Sequence, residues 1–207
     1  MKRLIFRKLL MMHLLSCMSI LLLAQDSSKI FFTTAVGLLH PVSAFSNAYQ
    51  NSLALNSGIE YKLGKQYFVQ FVIDFNAVKY SQQLKDDNAA YLFQKTSSSV
   101  LLAGFNIGKD FPLIRSGKLF VSPYVGIGYV NIGEPRLMVD TVNRIITQQV
   151  ERKNGLFERL GSRLAYSTTS KVLQTVYIDL SYWTSSIKVQ QSNPKAFSFL
   201  IGTRFGF

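Results

Sequence analysis

The chain has 207 residues, with 23 Lys and Arg against 11 Asp and Glu, for a formal charge of +12. Only 16% of the residues are charged, where a soluble domain carries about 25%, yet there are 16 Phe and 10 Tyr. One cysteine and two histidines argue against a disulfide framework, thiol chemistry or a Cys/His metal site.

Lys2, Arg3, Arg7 and Lys8 precede an apolar run from Leu9 to Leu23, broken only by His13, Ser16 and Ser19, and Ala24 is followed by polar Gln25. This pattern predicts a secretory signal peptide, 1–24, with cleavage after Ala24. The run is shorter than the roughly 20 residues a spanning helix needs. Leu14-Leu15-Ser16-Cys17 loosely resembles a lipobox, so acylation at Cys17 is the alternative. The continuation of the run through Met18 to Ala24 favours cleavage instead. Cleavage removes four basic residues, no acidic ones and the only cysteine, which takes the charge from +12 to +8. The remainder, 25–207, is expected to be one domain with no disulfide and no spanning helix.

From there the hydrophobic period is 2, not 3.6, which predicts strands with one apolar face. Lys29 to Leu39 is the first. Ser52 to Leu63 sets Leu53, Leu55, Ile59 and Tyr61 against Ala54, Asn56, Gly58, Glu60 and Lys62, and ends in a tight turn at Gly64-Lys65. Gln66 to Tyr80 sets Tyr67, Val69, Phe71, Ile73 and Phe75 against Gln70, Asp74 and Asn76. Ser97 to Gly108 sets Leu101, Ala103, Phe105 and Ile107 against Gly104, Asn106 and Gly108. Lys118 to Asn131 sets Val121, Val125, Ile127 and Tyr129 against Ser122, Tyr124, Gly126 and Gly128. Pro123 there lacks a ladder donor, so a bulge is expected. Gly155 to Ser167 sets Leu160, Leu164 and Tyr166 against Arg159, Gly161, Arg163 and Ala165. Val172 to Thr184 sets Val176, Ile178, Leu180 and Tyr182 against Tyr177, Asp179, Ser181 and Trp183. The last segment sets Phe197, Phe199, Ile201, Thr203, Phe205 and Phe207 against Ala196, Ser198, Leu200, Gly202, Arg204 and Gly206.

Eight such segments predict an all-β fold, an eight-stranded antiparallel transmembrane β-barrel with up-and-down connections. A β-sandwich or lipocalin-like barrel also alternates, but points its apolar face inward and covers its outside with charge. Here the non-apolar face is Gly, Ser, Asn and Ala with isolated charges, which suits the narrow interior of a small barrel. Connections alternate in length. Gly64-Lys65, Lys109 to Gly117 and Thr168 to Lys171 are short; His40 to Asn51, Ser81 to Thr96, Ile132 to Asn154 and Ser185 to Pro194 are long and polar. Short periplasmic turns and long external loops give this rhythm, with both termini periplasmic. Leu137 to Ile146 reads as a hairpin above the membrane, interrupted by Pro135.

The closing residues Leu200 to Phe207, with Gly202, Phe205 and Phe207, resemble the signal read by the outer-membrane barrel assembly machinery. Pro123-Tyr124-Val125-Gly126-Ile127-Gly128 resembles the mid-barrel strand of small OmpA/OmpX-like outer-membrane barrel domains, a group that includes PorT-type barrels supporting secretion. The resemblance implies the bacterial outer membrane and the assembly machinery as a partner. It assigns no ligand, and the larger OmpA plan with a peptidoglycan-binding domain after the barrel is not expected.

The lumen-facing ionisable residues expected to form a charge network are Glu60, Lys62, Asp74, Arg163, Asp179 and Arg204. Such charges are costly unless paired, so the expectation is a salt-bridged plug; a gate or narrow porin-like path in which the pairs exchange partners is the alternative. His40 and Ser43 open an external loop and are the residues that would serve a lipid-modifying enzyme, with no third member in view, so no catalytic residue is assigned. No cofactor, metal or nucleic acid is expected; Asp86-Asp87 reads as a solvated loop pair. Lys65, Lys109, Arg115, Lys118 and Lys171 fall in the periplasmic turns, and Arg136, Arg144, Arg152, Lys153 and Lys188 in the external loops. They match phospholipid and lipopolysaccharide phosphates. The expected role of a monomer is structural or interactive, through its external loops toward an extracellular or envelope protein.

Overall fold

A computed structural model describes residues 29–64, 66–82, 91–170 and 172–206. The expected signal peptide, Lys65, Asp86-Asp87, Lys171 and Phe207 lie outside the described residues. The strands are β1 (Ile30–Pro41), β2 (Ser52–Leu63), β3 (Tyr67–Tyr80), β4 (Thr96–Lys109), β5 (Phe111–Pro112), β6 (Leu119–Asp140), β7 (Ile145–Ser167), β8 (Leu173–Ser185) and β9 (Lys195–Gly206). The two-residue β5 continues the register of β4 against β6, so the long strands number eight. β1 pairs with both β2 and β9, which closes the sheet with every contact antiparallel.

Paired residues trace one path around the barrel: Phe31, Glu60, Gln70, Asn106, Gly126, Arg159, Trp183, Ala196 and back to β1 at Pro41. The path returns ten residues further along β1 than it began. With about 3.3 Å per residue and 4.8 Å between strands, that stagger tilts the strands by about 40° from the axis.

Alternation then sorts side chains. Leu53, Leu55, Ile59, Phe71, Ile73, Phe75, Phe105, Ile107, Val125 and Ile127 are exposed on the outer wall, while the residues between them line the interior. Tyr67, Phe111 and Tyr166 ring one end of this wall, and Phe75, Tyr129, Tyr182 and Phe197 the other. Tyr67 and Phe75 are eight residues apart on β3, or about 20 Å along the axis at this tilt. This approaches the roughly 25 Å apolar band of outer-membrane barrels. Among the described residues no helix is long and apolar enough to cross a membrane; the strands do that here.

Two expectations about proline are corrected. No bulge forms at Pro123, which pairs with Ser162 in register. Instead the ladder to the other side lapses at Lys109 and Asp110, between Gly108–Tyr124 and Phe111–Val121, without a residue being inserted. Nor does Pro135 interrupt the hairpin: β6 and β7 stay in one register from Leu119–Tyr166 to Asp140–Ile145. Pro123 and Pro135 are twelve residues apart, so both present their missing N–H toward β4. At Pro135 the β4–β6 ladder has already ended, its last pair being Val100–Ile132, although β4 continues to Thr96 against β3. The prolines thus occupy an interrupted and a free edge, the places a strand tolerates them. The one register shift among the described strands lies between Leu173 and Thr175 on β8.

Candidate functional site

The barrel interior is filled in three tiers. At the turn end, Phe31, Phe68 and Phe120 are buried beside charged side chains. Lys62 binds Glu60 at 3.2 Å and also Asp110, and Asp110 accepts the Ser122 hydroxyl at 2.7 Å. Arg204 reaches Glu60 at 2.8 Å and donates to Thr175 Oγ1 at 2.8 Å.

In the middle, Arg163 is the hub. Its Nη1 meets Glu60 Oε2 at 2.9 Å and its Nε meets Asp179 Oδ2 at 2.9 Å; a third donor reaches Gln70. Tyr124 donates its hydroxyl to Asp179 at 2.8 Å. The guanidinium lies 5.4, 5.1 and 5.2 Å from the ring centroids of Phe68, Tyr124 and Tyr177. Aromatic faces favour a cation there, and the planar fork of arginine serves two carboxylates at once. Gln70 donates to Thr33 at 2.8 Å and accepts from Asn106 at 3.1 Å. One step further along, Asp74 is held by Arg159 and Asn56.

Of the six predicted network residues, Glu60, Lys62, Arg163, Asp179 and Arg204 form one connected cluster. Asp74 stands apart from it with Arg159. Asp110 joins the cluster through Lys62, and Arg159 forms the separate pair with Asp74, neither having been predicted as a network residue. Arg159 shares the inward face of β7 with Arg163 by alternation, so the signal for it is present in the sequence. Asp110 sits where β4 breaks from its ladder, a position alternation does not describe. Among the described residues the complete set has four acids and four bases. Among the described residues, two interior voids between the charged side chains hold about 10 Å³ each, room for about one water apiece. Asn106 Oδ1 and Arg159 Nε, both lacking a protein partner, belong to residues lining the first. A larger concavity of about 390 Å³ lies outside, on the lipid-facing wall around Thr34, Ser57 and Thr203, away from every charge just described.

The loop end is closed by apolar and aromatic side chains. Leu102, Val130, Phe157 and Trp183 are fully buried above Asp74 and Arg159. Over them folds a 3-10 turn, Ser43–Asn47, that inserts Phe45. Phe45 stacks 4.5 Å from Tyr49 and meets Trp183 edge-on at 6.1 Å. Tyr49 contacts Tyr80 and donates its hydroxyl to the Gly133 carbonyl at 2.9 Å; burial, then the nearby Glu134 carboxylate, push its phenol pKa well up. From the last loop, Gln190 donates to Glu134 at 2.8 Å and to Tyr80 at 2.9 Å. Glu134 also binds Arg136 at 2.8 Å. Two loops are therefore fastened to the base of the β6–β7 hairpin, through Tyr49 and Gln190. Nothing in the alternation pattern announces this cap.

Other predicted residues are scattered. His40 Nδ1 lies 2.6 Å from Asn51 Oδ1 rather than on Ser43, and Ser43 starts the 3-10 turn at positive φ. No group of three metal-ligating side chains occurs among the described residues. Of the predicted assembly signal, Gly202 is packed so tightly that an added Cβ would stand 2.5 Å from the Tyr177 ring and 2.6 Å from Ala35 Cβ. Phe205 pairs with Phe32 on the outer wall.

No protein-family model matches the sequence, and no curated protein does. Solved structures do match. The crystal structure of Neisserial surface protein A is 13% identical, with a TM-score of 0.51 over 88% of this chain and 100% of that one. That of a major outer membrane protein from Thermus thermophilus is also 13% identical, with a TM-score of 0.53 over 86% of this chain and 100% of that one. The fold is that of small outer-membrane β-barrels. Its apolar wall, aromatic rings and charged, filled interior are the arrangement such a barrel requires, because lipid offers no partner for polar groups on the outside.

Proposed function

We propose that the chain is a small bacterial outer-membrane protein whose interior is a structural plug and whose working surface is the β6–β7 hairpin, with the chain ends and short turns on the periplasmic side. The observation that carries this reading is the contrast between the two regions. Every lumen tier is packed and the loop end is capped, whereas the hairpin stands clear beyond its buried base at Gly133, Glu134 and Pro135. β6 runs eight residues beyond its last partner on β4, and β7 has no β8 partner before Phe157. Eight residues of strand extend about 26 Å.

The outward face of this ribbon carries Leu137, Val139, Ile146 and Val150, in cross-strand register as Val139–Ile146 and Pro135–Val150. Ile146 is 62% exposed and Val142 at the tip 88%. An exposed apolar ribbon anchored on a rigid base is suited to docking a protein partner. The reading therefore favours adhesion or partner docking over transport. The sealed lumen weighs against a narrow pore, and no observation favours a secretion-supporting or lipid-modifying role.

Trimming Leu137 to Val150 tests the proposal. The shortened chain is expected to retain heat-modifiable mobility, as a folded barrel does, and to lose binding of cells to a surface or partner. Retained binding by a folded, trimmed barrel overturns the docking role. Planar-bilayer recordings of the intact chain are expected to show no steady conductance, and regular channel steps would restore the pore reading.

A further inference from the structure

We propose that the β5–β6 hairpin at the turn end is a docking site for anionic phospholipid headgroups; this rests on the membrane placement proposed above. Tyr67 and Phe111 belong to the aromatic ring at that end, and Lys109 Nζ sits 5.1 and 5.0 Å from their centroids. The apolar outer wall does not stop there. The Leu113 N–H donates to the Leu119 carbonyl at 2.8 Å, which sets Leu113 opposite Leu119 on the outer side. Leu113 is 53% and Ile114 46% exposed. The tip is held rigid by the Gly117 N–H donating to the Ile114 carbonyl at 2.9 Å, with Gly117 at φ +68, a conformation that favours glycine.

The charges at this tip are one-sided. Arg115 and Lys118 are exposed. The one acid of the turn, Asp110, points inward to Lys62 and Ser122. The hairpin thus offers two bulky apolar side chains beyond the aromatic ring, flanked by cations whose own turn presents no outward carboxylate among the described residues. Such a tip enters the boundary between acyl chains and headgroups and draws phosphates to its cations. Continuity with the lipid-facing wall argues for lipid rather than a soluble protein as the occupant. By comparison, the β7–β8 turn opens with three hydroxyl residues, Thr168, Thr169 and Ser170, and has one exposed apolar side chain, Val172, where the β5–β6 hairpin has two.

The test places an environment-sensitive fluorophore on Ile114→Cys in a Cys17→Ser chain, folded into phosphatidylcholine vesicles with or without one-third phosphatidylglycerol. The expected result is blue-shifted emission, quenched by nitroxide-labelled lipid and more strongly so with phosphatidylglycerol; the same label on Thr169→Cys reports water. Native mass spectrometry of the folded barrel should show phosphatidylglycerol retention falling about fivefold for each charge removed by Arg115→Ser and Lys118→Ser. Water-like emission from a barrel that is inserted and heat-modifiable overturns the proposal and leaves the membrane placement standing. So does emission or retention indifferent to phosphatidylglycerol. A chain that fails to insert into either vesicle overturns the placement and the proposal together.

Discussion

Arg163 on β7 and Glu60 on β2 are 103 residues apart in the chain and meet at 2.9 Å inside the barrel. Neither strand neighbours the other, so the pair spans the lumen and ties opposite walls. Glu60 in turn meets Arg204 and Lys62, which makes one buried carboxylate the partner of three cations. Removing it takes from Arg204 its one carboxylate among the described residues, while Lys62 keeps Asp110 and Arg163 keeps Asp179. Breaking a buried ion pair from one side costs about 3–5 kcal/mol, so Glu60→Ala is expected to destabilise the barrel by about that amount. Glu60→Leu combined with Arg163→Met should cost less than the sum of the single changes, since each has then lost a partner already gone. Urea titration followed by Trp183, the chain's one tryptophan and fully buried, measures both; additive losses would show that the pair is not coupled.

Phe157 caps a glycine pair. Gly104 and Gly128 face each other on β4 and β6, and Gly128 pairs with Phe157 on β7. A Cβ on Gly128 would stand 2.3 Å from the Ala103 carbonyl oxygen and 2.7 Å from the Phe157 ring. Phe157→Ala is expected to cost about 3–5 kcal/mol through the cavity it leaves, and Gly128→Val about 1–3 kcal/mol through overpacking. Thermal or urea unfolding in the same detergent ranks the two. A neutral Phe157→Ala would mean that the cap collapses to fill the space.

The hairpin tip should respond to acid. Asp140 accepts the N–H groups of Val142 and Asn143 at 3.0 Å and the Asn143 side chain at 2.7 Å. The backbone N–H of Asn143, first among these donors, holds its carboxyl below the usual aspartate range. Its lowered folded pKa means the turn's contribution is present above the unfolded carboxyl pKa and fades as pH falls through the folded one. Amide signals of Val142 and Asn143 are expected to broaden or shift below about pH 4, and Asp140→Asn to abolish that dependence. A tip indifferent to acid would show that the turn stands without its carboxylate.

Gln190 and Gln191 form a tight turn closed by Val189 and Ser192, both glutamines at positive φ, 51° and 63°. Gln190 has a reason to remain, since its amide serves Glu134 and Tyr80. The exposed Gln191 has none visible. Gln191→Gly is therefore expected to stabilise the barrel by up to about 1 kcal/mol, relieving a left-handed residue at some cost in chain entropy. Gln190→Gly should destabilise it, and equal effects at the two positions, read from urea midpoints, would contradict the distinction.

Much of the lumen is readable from local pattern. Glu60 and Lys62, or Arg159 and Arg163, fall on one face because strand alternation is local and has a period of two residues. The outer wall follows from the same rule, as do the even strand count and the alternating loop lengths. The β6–β7 hairpin is legible from Leu137-Met138-Val139 and Ile145-Ile146, but the effect of Pro135 is not. Whether a proline breaks a strand depends on which neighbour its nitrogen faces, and that requires the sheet.

The pairing of the lumen charges depends on more than the facing of their side chains. Asp179 is Arg163's direct cross-strand partner on β8, but Arg163 finds Glu60, and Asp74 finds Arg159, because the ten-residue stagger slides β7 past β2 and β3 before the barrel closes. Shear is a property of the closed sheet, and no single strand carries it. The cap is a matter of tertiary structure for a second reason. Phe45, Tyr49, Trp183 and Gln190 come from three segments whose local patterns say loop or strand and nothing of a common core. The sequence by itself determined an apolar wall outside and isolated charges within; only the closed barrel decided which charges meet across the lumen, and that its loop end is shut.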